Sequence, residues 1–361
     1  MKDFGFYLKT TDTCQLDCKH CFTYGKNGAK GWFDVKKTVD FFRRFRDHYE
    51  SEELQIHISL FGGEPLLCPA DLIIDFHGQI KELFPRSTWT TQSNLTFKLT
   101  EDKHRAIKTI GNIGTSWDKD IRWATRKQYQ LWKENIAELT EMGYNIQASV
   151  CLGRPLIEKM SALEIIEEMS QPGIKRVLFE RMTADGYASR DASVFPDNIM
   201  LNEWVMQMWR DTLEHRLYER VANRFINEIL ETFVKGQYSG IRCRDCEQKL
   251  FTVNANGTIG GCINTATDNT YGSIEDDIPT LLGSTGRMCN IQTELVRHPL
   301  CFVCPVFQVC NGDCHQQIHS WQGNVCAAPK SLMIELQQLN DIELYKEILS
   351  HTHYDMPLAI H

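Results

Sequence analysis

The sequence predicts an α/β fold: a partial (β/α)6 TIM-like barrel, followed by a loop-rich, cysteine-bearing segment and a C-terminal helix. Three observations lead there. Short β-rich runs alternate with helix-period segments six times in the first two thirds of the chain, the pattern of a parallel sheet with crossover helices. After about residue 238 the helical period fades while Gly, Cys, Asn and Thr rise, as in "SGIRCRDCEQKLFTVNANGTIGGCINTATDNTYG". With Cys68, Cys151 and Cys289 set aside, the other eleven of the 14 cysteines lie either in the first 21 residues or after residue 240. The expected divisions are 1–235, 236–330 and 331–361.

The strands are expected at Phe4–Lys9, Leu54–Phe61, Ser87–Ser93, Gly111–Trp117, Asn145–Cys151 and Arg176–Glu180. Each is short, apolar or rich in β-branched residues. The helices are expected at Asp34–Tyr49, Ala70–Leu83, Thr100–Lys108, Lys127–Met142, Ala162–Met169 and Leu201–Val234. Asp34 and Thr100 supply N-terminal capping signals. The basic "FFRRFR" run at Phe41–Arg46 falls inside an amphipathic pattern and reads as the solvated face of the first helix. Six units fall short of the eight that close a full barrel, so the architecture should be open, with its site at the C-terminal ends of the strands. A last helical pattern covers Lys330–Leu349.

Composition narrows the function classes. The chain has 361 residues, 42% hydrophobic and 24% charged, with a net charge of −8. That is ordinary globular composition, large enough to bury a substantial core. No basic block points to nucleic acid, and no apolar run approaches the ~20 residues a membrane helix needs. The start, "MKDFGFYLKTTD", lacks a secretory apolar region, so a cytoplasmic protein is expected, with no nucleic-acid and no membrane partner. In a reducing compartment, closely spaced cysteines favour metal over disulfides.

Cys14, Cys18 and Cys21 form C-x3-C-x2-C behind the first strand. Three thiolates hold three irons of a 4Fe-4S cube and leave the fourth open to an outside ligand, whereas such clusters normally take four cysteines. Buried apolar thiols, or a zinc knuckle with a distant fourth ligand, are the duller alternatives. The surrounding Asp12, Gln15, Asp17, Lys19 and His20 argue against a buried core. The second signal is "FGGEP", Phe61–Pro65, at the end of the second strand, where two glycines permit close backbone approach and Glu64 supplies a carboxylate.

C-x3-C-x2-C after the first strand, with Gly-Gly-Glu-Pro after the second, resembles the radical S-adenosylmethionine enzymes. The resemblance implies that S-adenosylmethionine chelates the open iron and that Gly62, Gly63 and Glu64 help hold its amino group. Reductive cleavage then gives methionine and a 5′-deoxyadenosyl radical that abstracts hydrogen. It further implies that Asn94, in "QSN" after the third strand, and Ser116 and Asp118, in "GTSWD" after the fourth, line the cosubstrate pocket. Lys119 stands where the family has a glycine. Arg126 is the expected partner of the methionine carboxylate.

Downstream, "CFVCPVFQVCNGDC" (Cys301–Cys314) reads C-x2-C-x5-C-x3-C, and Cys246 and Cys262 frame C-x10-G-x4-C. These resemble the SPASM extension, a loop-rich iron–sulfur domain with two auxiliary 4Fe-4S clusters. By resemblance the first would use Cys243, Cys246, Cys262 and Cys314, and the second Cys301, Cys304, Cys310 and Cys326, giving three 4Fe-4S clusters in all. A zinc ribbon on Cys243–Cys246 and Cys301–Cys304 would orphan four other cysteines. Cys68, Cys151 and Cys289 fit no cluster, and Cys151 is expected in the core. Glu180, Arg181 and Asp185 follow the sixth strand within reach of adenine or substrate, and Trp117 and Trp123 are placed at the site's mouth.

The expected activity is that of a radical S-adenosylmethionine oxidoreductase acting as a peptide maturase. The substrate would be a ribosomal peptide side chain, undergoing cross-linking, epimerisation or oxidation. An electron donor such as flavodoxin or ferredoxin is the second expected partner. A sugar-like small molecule is one alternative. Formylglycine formation on a sulfatase is another, against which Ile263 counts: it follows Cys262 where those enzymes carry an aspartate base.

Overall fold

The computed structural model describes residues 2–236, 245–265, 268–317 and 321–351. The first half alternates as β1 (Lys2–Thr11), α1 (Val35–His48), β2 (Leu54–Gly62), α2 (Ala70–Leu83), β3 (Thr88–Ser93), α3 (Glu101–Ile110) and β4 (Ile113–Ser116). It continues through α4 (Lys119–Arg122), α5 (Arg126–Glu141), β5 (Gln147–Cys151), α6 (Arg154–Ile157), α7 (Ala162–Ser170), β6 (Arg176–Glu180), α8 (Asn198–Glu214), β7 (Ala222–Asn223) and α9 (Arg224–Lys235). The second half holds α10 (Cys246–Lys249), β8 (Leu250–Val253), β9 (Thr258–Gly260), β10 (Thr270–Ser273), α11 (Ile278–Leu282), α12 (Thr285–Leu295), α13 (Phe307–Cys310), α14 (Lys330–Leu339) and α15 (Ile342–Ser350).

Several of the longer helices start where a side chain accepts orphan N–H groups. Asp34 caps α1 and Thr100 caps α3, while Thr125 with Gln128 and Ser161 with Glu164 form capping boxes at α5 and α7. On β1, Phe4, Phe6 and Leu8 point to the helical layer, whereas Tyr7 points inward with Leu250 and Ile263. That alternation is the two-residue period of a strand buried on both faces.

The sheet order is β10-β9-β8-β1-β2-β3-β4-β5-β6-β7, so the ends do not meet and the barrel is open, as expected. Three features depart from the sequence reading. The helical segment expected over Leu201–Val234 is broken: Arg216 takes a left-handed φ of 45°, and Ala222 and Asn223 pair in parallel with Arg176 and Val177 of β6. The final helix is also broken, at Asn340 (φ 46°), after which Asp341 caps α15. The cysteine-rich part is not loops alone: β8 pairs in parallel with β1, and Phe251 stacks on Phe6 at 5.4 Å. One sheet therefore crosses the division expected near residue 235. No helix of the described residues is long and apolar enough to cross a membrane.

Candidate functional site

The parallel strands deliver their polar residues to one edge. Cys14, Cys18 and Cys21 follow β1, Gly62 ends β2 with Gly63 and Glu64 just after it, Asn94 follows β3, Ser116 ends β4 and Glu180 ends β6. All nine line a cleft of about 1090 Å³ at the C-terminal rim of the sheet, the rim where open α/β folds place their sites.

The glycine pair is explained by the chain itself. Gly62 has φ +142°, and a Cβ there would stand 2.1 Å from the Thr11 carbonyl oxygen; one on Gly63 would stand 2.2 Å from that of Thr13. Gly63 N–H donates to Thr11 O and Glu64 N–H to Thr13 O, both at 2.9 Å. The close approach that glycine permits is thus made first by the root of the three-cysteine loop, which this turn holds.

Glu64 is fully buried, and both carboxylate oxygens are engaged. Oε1 accepts from Leu66 N–H (3.1 Å) and Ser93 Oγ (2.8 Å), and Oε2 from Asn94 N–H (2.8 Å). Burial pushes the carboxyl up to about 7 against the lowering effect of those donors. Asn94 in turn accepts from Gln15 Nε2 at 2.8 Å and aims Nδ2 at Cys14 Sγ, 3.6 Å away. Glu64 and Asn94 thereby tie β2 and β3 to the cysteine loop.

Ser116 lies at the cleft wall, accepting from Gln92 Nε2 at 3.0 Å. Asp118 does not reach the cleft; it is fully buried. Its Oδ2 accepts from Arg122 Nε (2.9 Å) and lies 3.2 Å from His20 Nε2, while Oδ1 accepts from Cys151 N–H (2.7 Å). Burial would raise this carboxyl, but Arg122 and His20 outweigh it and hold it well below the usual range. Arg126 is an exposed first residue of α5 and lies outside the cleft. Two arginines line it, Arg122 and Arg181, and Arg122 is the one beside the three-cysteine loop, its Nη1 pointing at Cys18 Sγ from 3.8 Å. One turn of α4 separates Asp118 from Arg122, an i,i+4 spacing that was available in the sequence.

His20, Asp118 and Cys151 bring ligand atoms within 4.8 Å of one another. The Arg122 guanidinium already neutralises Asp118, so the group is an ion-pair knot and not a cation site. Cys151, expected in the core, lines the cleft, whereas Trp117 and Trp123, expected at the mouth, are buried in the core. Their rings pack against neighbouring helix residues, which a position after a strand does not reveal.

A second cavity, of about 1080 Å³, adjoins the first. Phe22, Phe61, Glu180, Arg181 and Asn264 line both, and Asp185 lines neither. Its far wall brings together Cys246, Cys262 and Cys314; Cys243 lies outside the described residues. Burial raises the Glu180 carboxyl to about 7, Arg224 opposing. Arg181 leaves β6 for the cysteine-rich part, where it pairs with buried Asp313 and donates to Ala327 O at 2.9 Å. Cys304 N–H donates to Cys301 O at 3.1 Å, Cys326 is close enough to Cys304 for their charges to interact, and Cys310, at the end of α13, is buried.

The donor set fits a cluster on Cys14, Cys18 and Cys21. Leu16 N–H (3.3 Å) and Asn94 Nδ2 point at Cys14, and Arg122 points at Cys18. N–H groups and a guanidinium suit sulfurs that remain anionic. As free thiols, burial raises Cys14 to about 12 and Cys18 to about 11, so metal loading releases their protons.

Residues 7–116 match the family model of a 4Fe-4S single-cluster domain. Among curated proteins, none matches the chain. The structure of the sulfatase-maturating enzyme anSMEcpe with bound AdoMet is similar at TM-score 0.76 and 17% identity, over 95% of this chain and 99% of that one. The same protein with AdoMet and the Cp18Cys peptide gives 0.75 and 16%, over 96% and 100%. SuiB of Streptococcus suis, bound to precursor peptide SuiA, gives 0.60 and 15%, over 90% and 76%. The chain therefore has the fold of the radical S-adenosylmethionine enzymes that carry a cysteine-rich C-terminal extension.

Proposed function

We propose that the protein is a radical S-adenosylmethionine oxidoreductase that modifies a side chain of a peptide. The observation that carries this reading is the convergence of three cysteines, a glycine turn, Asn94, Ser116 and Arg122 on one cleft. Cys14, Cys18 and Cys21 hold the cube. When bound, the cube and S-adenosylmethionine supply a 5′-deoxyadenosyl radical. The Gly62–Gly63–Glu64 turn, Asn94 and Ser116 seat the cosubstrate, and Arg122 replaces Arg126 as the cation for its carboxylate. Asp118 positions Arg122.

The adjoining cavity receives the substrate side chain between aromatic walls (Tyr7, Phe22 and Phe61). Glu180 borders both chambers and is the carboxylate placed to take up the substrate's proton. Ile263 lines the second cavity where a sulfatase-maturing enzyme would present its base, so the formylglycine reading requires Glu180 to serve instead. Peptides bound to anSMEcpe and SuiB favour a peptide over a sugar. Cys243, Cys246, Cys262 and Cys314, and separately Cys301, Cys304, Cys310 and Cys326, hold two auxiliary cubes. A flavodoxin or ferredoxin supplies electrons.

Anaerobic reconstitution with iron counting tests the ligand sets. About 12 irons per chain are expected, falling by about four in Cys14→Ala and in Cys304→Ala. Mass spectrometry for 5′-deoxyadenosine with candidate peptides tests the reaction. An iron content of about four, or bound zinc, refutes the auxiliary assignment.

A further inference from the structure

Large exposed apolar side chains are unevenly spread. Of the ten among the described residues, six fall between Met288 and Val303: Met288, Leu295, Val296, Leu300, Phe302 and Val303. Phe302 is 67% and Val303 79% exposed, and they stand between the half-buried Cys301 and Cys304. Met288 and Leu295 share a face of α12, seven residues apart, and Phe302 rests on Phe307 at 5.5 Å. A concentration of this kind, standing clear of the core, marks an interaction face.

Its charge is as uneven. From Ser284 to Lys330 the only acidic residues are Glu294 and Asp313, which are 0% and 1% exposed. The exposed surface of this stretch thus carries no carboxylate, in a chain of net charge −8. Arg297, His298 and Lys330 are exposed or half-exposed on it. Asp245, just before the neighbouring α10, is paired with Lys249 at that helix's end.

We propose that this face docks an acidic, flavin-bearing one-electron carrier of the flavodoxin class, next to the centre held by Cys301, Cys304, Cys310 and Cys326. The proposal rests on the auxiliary-cluster reading above. Such a carrier presents the apolar edge of its flavin within a ring of carboxylates, which matches an apolar patch with basic neighbours and no acid of its own. The exchange balances as one electron. The carrier's anionic flavin hydroquinone becomes the neutral semiquinone, and the centre under Phe302 and Val303 is reduced by one electron.

The test uses the anaerobic holoenzyme and a purified acidic flavodoxin. Titration of the oxidised flavodoxin should give saturable binding that weakens as salt rises. Stopped-flow mixing with flavodoxin hydroquinone should reduce the iron–sulfur absorbance about tenfold more slowly in Leu295→Glu and in Val303→Glu than in the parent. Reduction by dithionite should stay at the parent rate. Leu295 is remote in sequence from the cysteines, so it carries the test should Val303→Glu disturb its neighbours. Iron counting on the same samples separates the two layers of the argument. Docking variants that keep their iron but react with flavodoxin like the parent overturn the docking face. A parent with only about eight irons overturns the auxiliary reading beneath it. Salt-insensitive or absent binding, or a dimer in sedimentation that Leu295→Glu dissociates, also overturns the proposal, the latter in favour of a second copy of this chain.

Discussion

At the scale of single residues, the site is organised by buried charges that answer one another. Asp118→Asn would leave the Arg122 guanidinium, only 13% exposed, without its counter-ion. Breaking such a pair costs about 3–5 kcal/mol, so the denaturation midpoint of the variant should fall sharply, and S-adenosylmethionine binding with it. Glu180 gives a pH signature. Its carboxyl titrates near 7, and a proton acceptor works only when ionised. Product formation should therefore rise with pH through about 7. Glu180→Gln should lower it by roughly 10²–10⁴-fold and remove that rise, while 5′-deoxyadenosine still forms. Loss of 5′-deoxyadenosine together with product would instead place Glu180 in cosubstrate binding. The cysteines and the glycine turn were legible because their spacing is local. The approach of Arg122 to Cys18, of His20 to Asp118 and of Arg181 to Asp313 was not, because each joins residues about a hundred positions or more apart.

At the scale of elements, the root of β1 and the end of β2 are locked by a contact only glycine allows. Gly62→Ala meets both an unfavourable φ and the Thr11 carbonyl. A loss of about 2–5 kcal/mol is expected. It should be accompanied by about four fewer irons per chain, since the displaced loop carries Cys14, Cys18 and Cys21. Circular dichroism melts and iron counting check both outcomes. The six strands and their crossover helices were readable because each has its own period and caps. Three things were hidden by tertiary pairing. β7 has two residues and exists only because β6 offers a free edge. β8 sits inside a Gly- and Asn-rich stretch and is recruited by β1. The breaks at Arg216 and Asn340 use left-handed conformations at residues whose neighbours keep a helical pattern.

At the scale of the whole molecule, the cysteine-rich extension completes the sheet. Phe251, Val253 and Ile259 are fully buried, and β8 covers the edge of β1. A chain ending at residue 235 would bare that edge together with the apolar faces of Phe6 and Leu8. An unpaired hydrophobic strand edge promotes association. Size-exclusion chromatography of the truncated chain should show aggregates; a soluble monomer retaining four irons would contradict this account. The integration explains why the expected boundary near residue 235 divides the sequence but not the fold.

The open ends of the sheet, β7 and β10, carry a last consequence. A ring admits only what can enter through its mouth, end first. An arc can be approached from its flank, so a long polypeptide could lay an internal bend against the reactive chamber without threading a terminus. Processing at the middle of a chain, as readily as near its tip, is what this gap makes geometrically available.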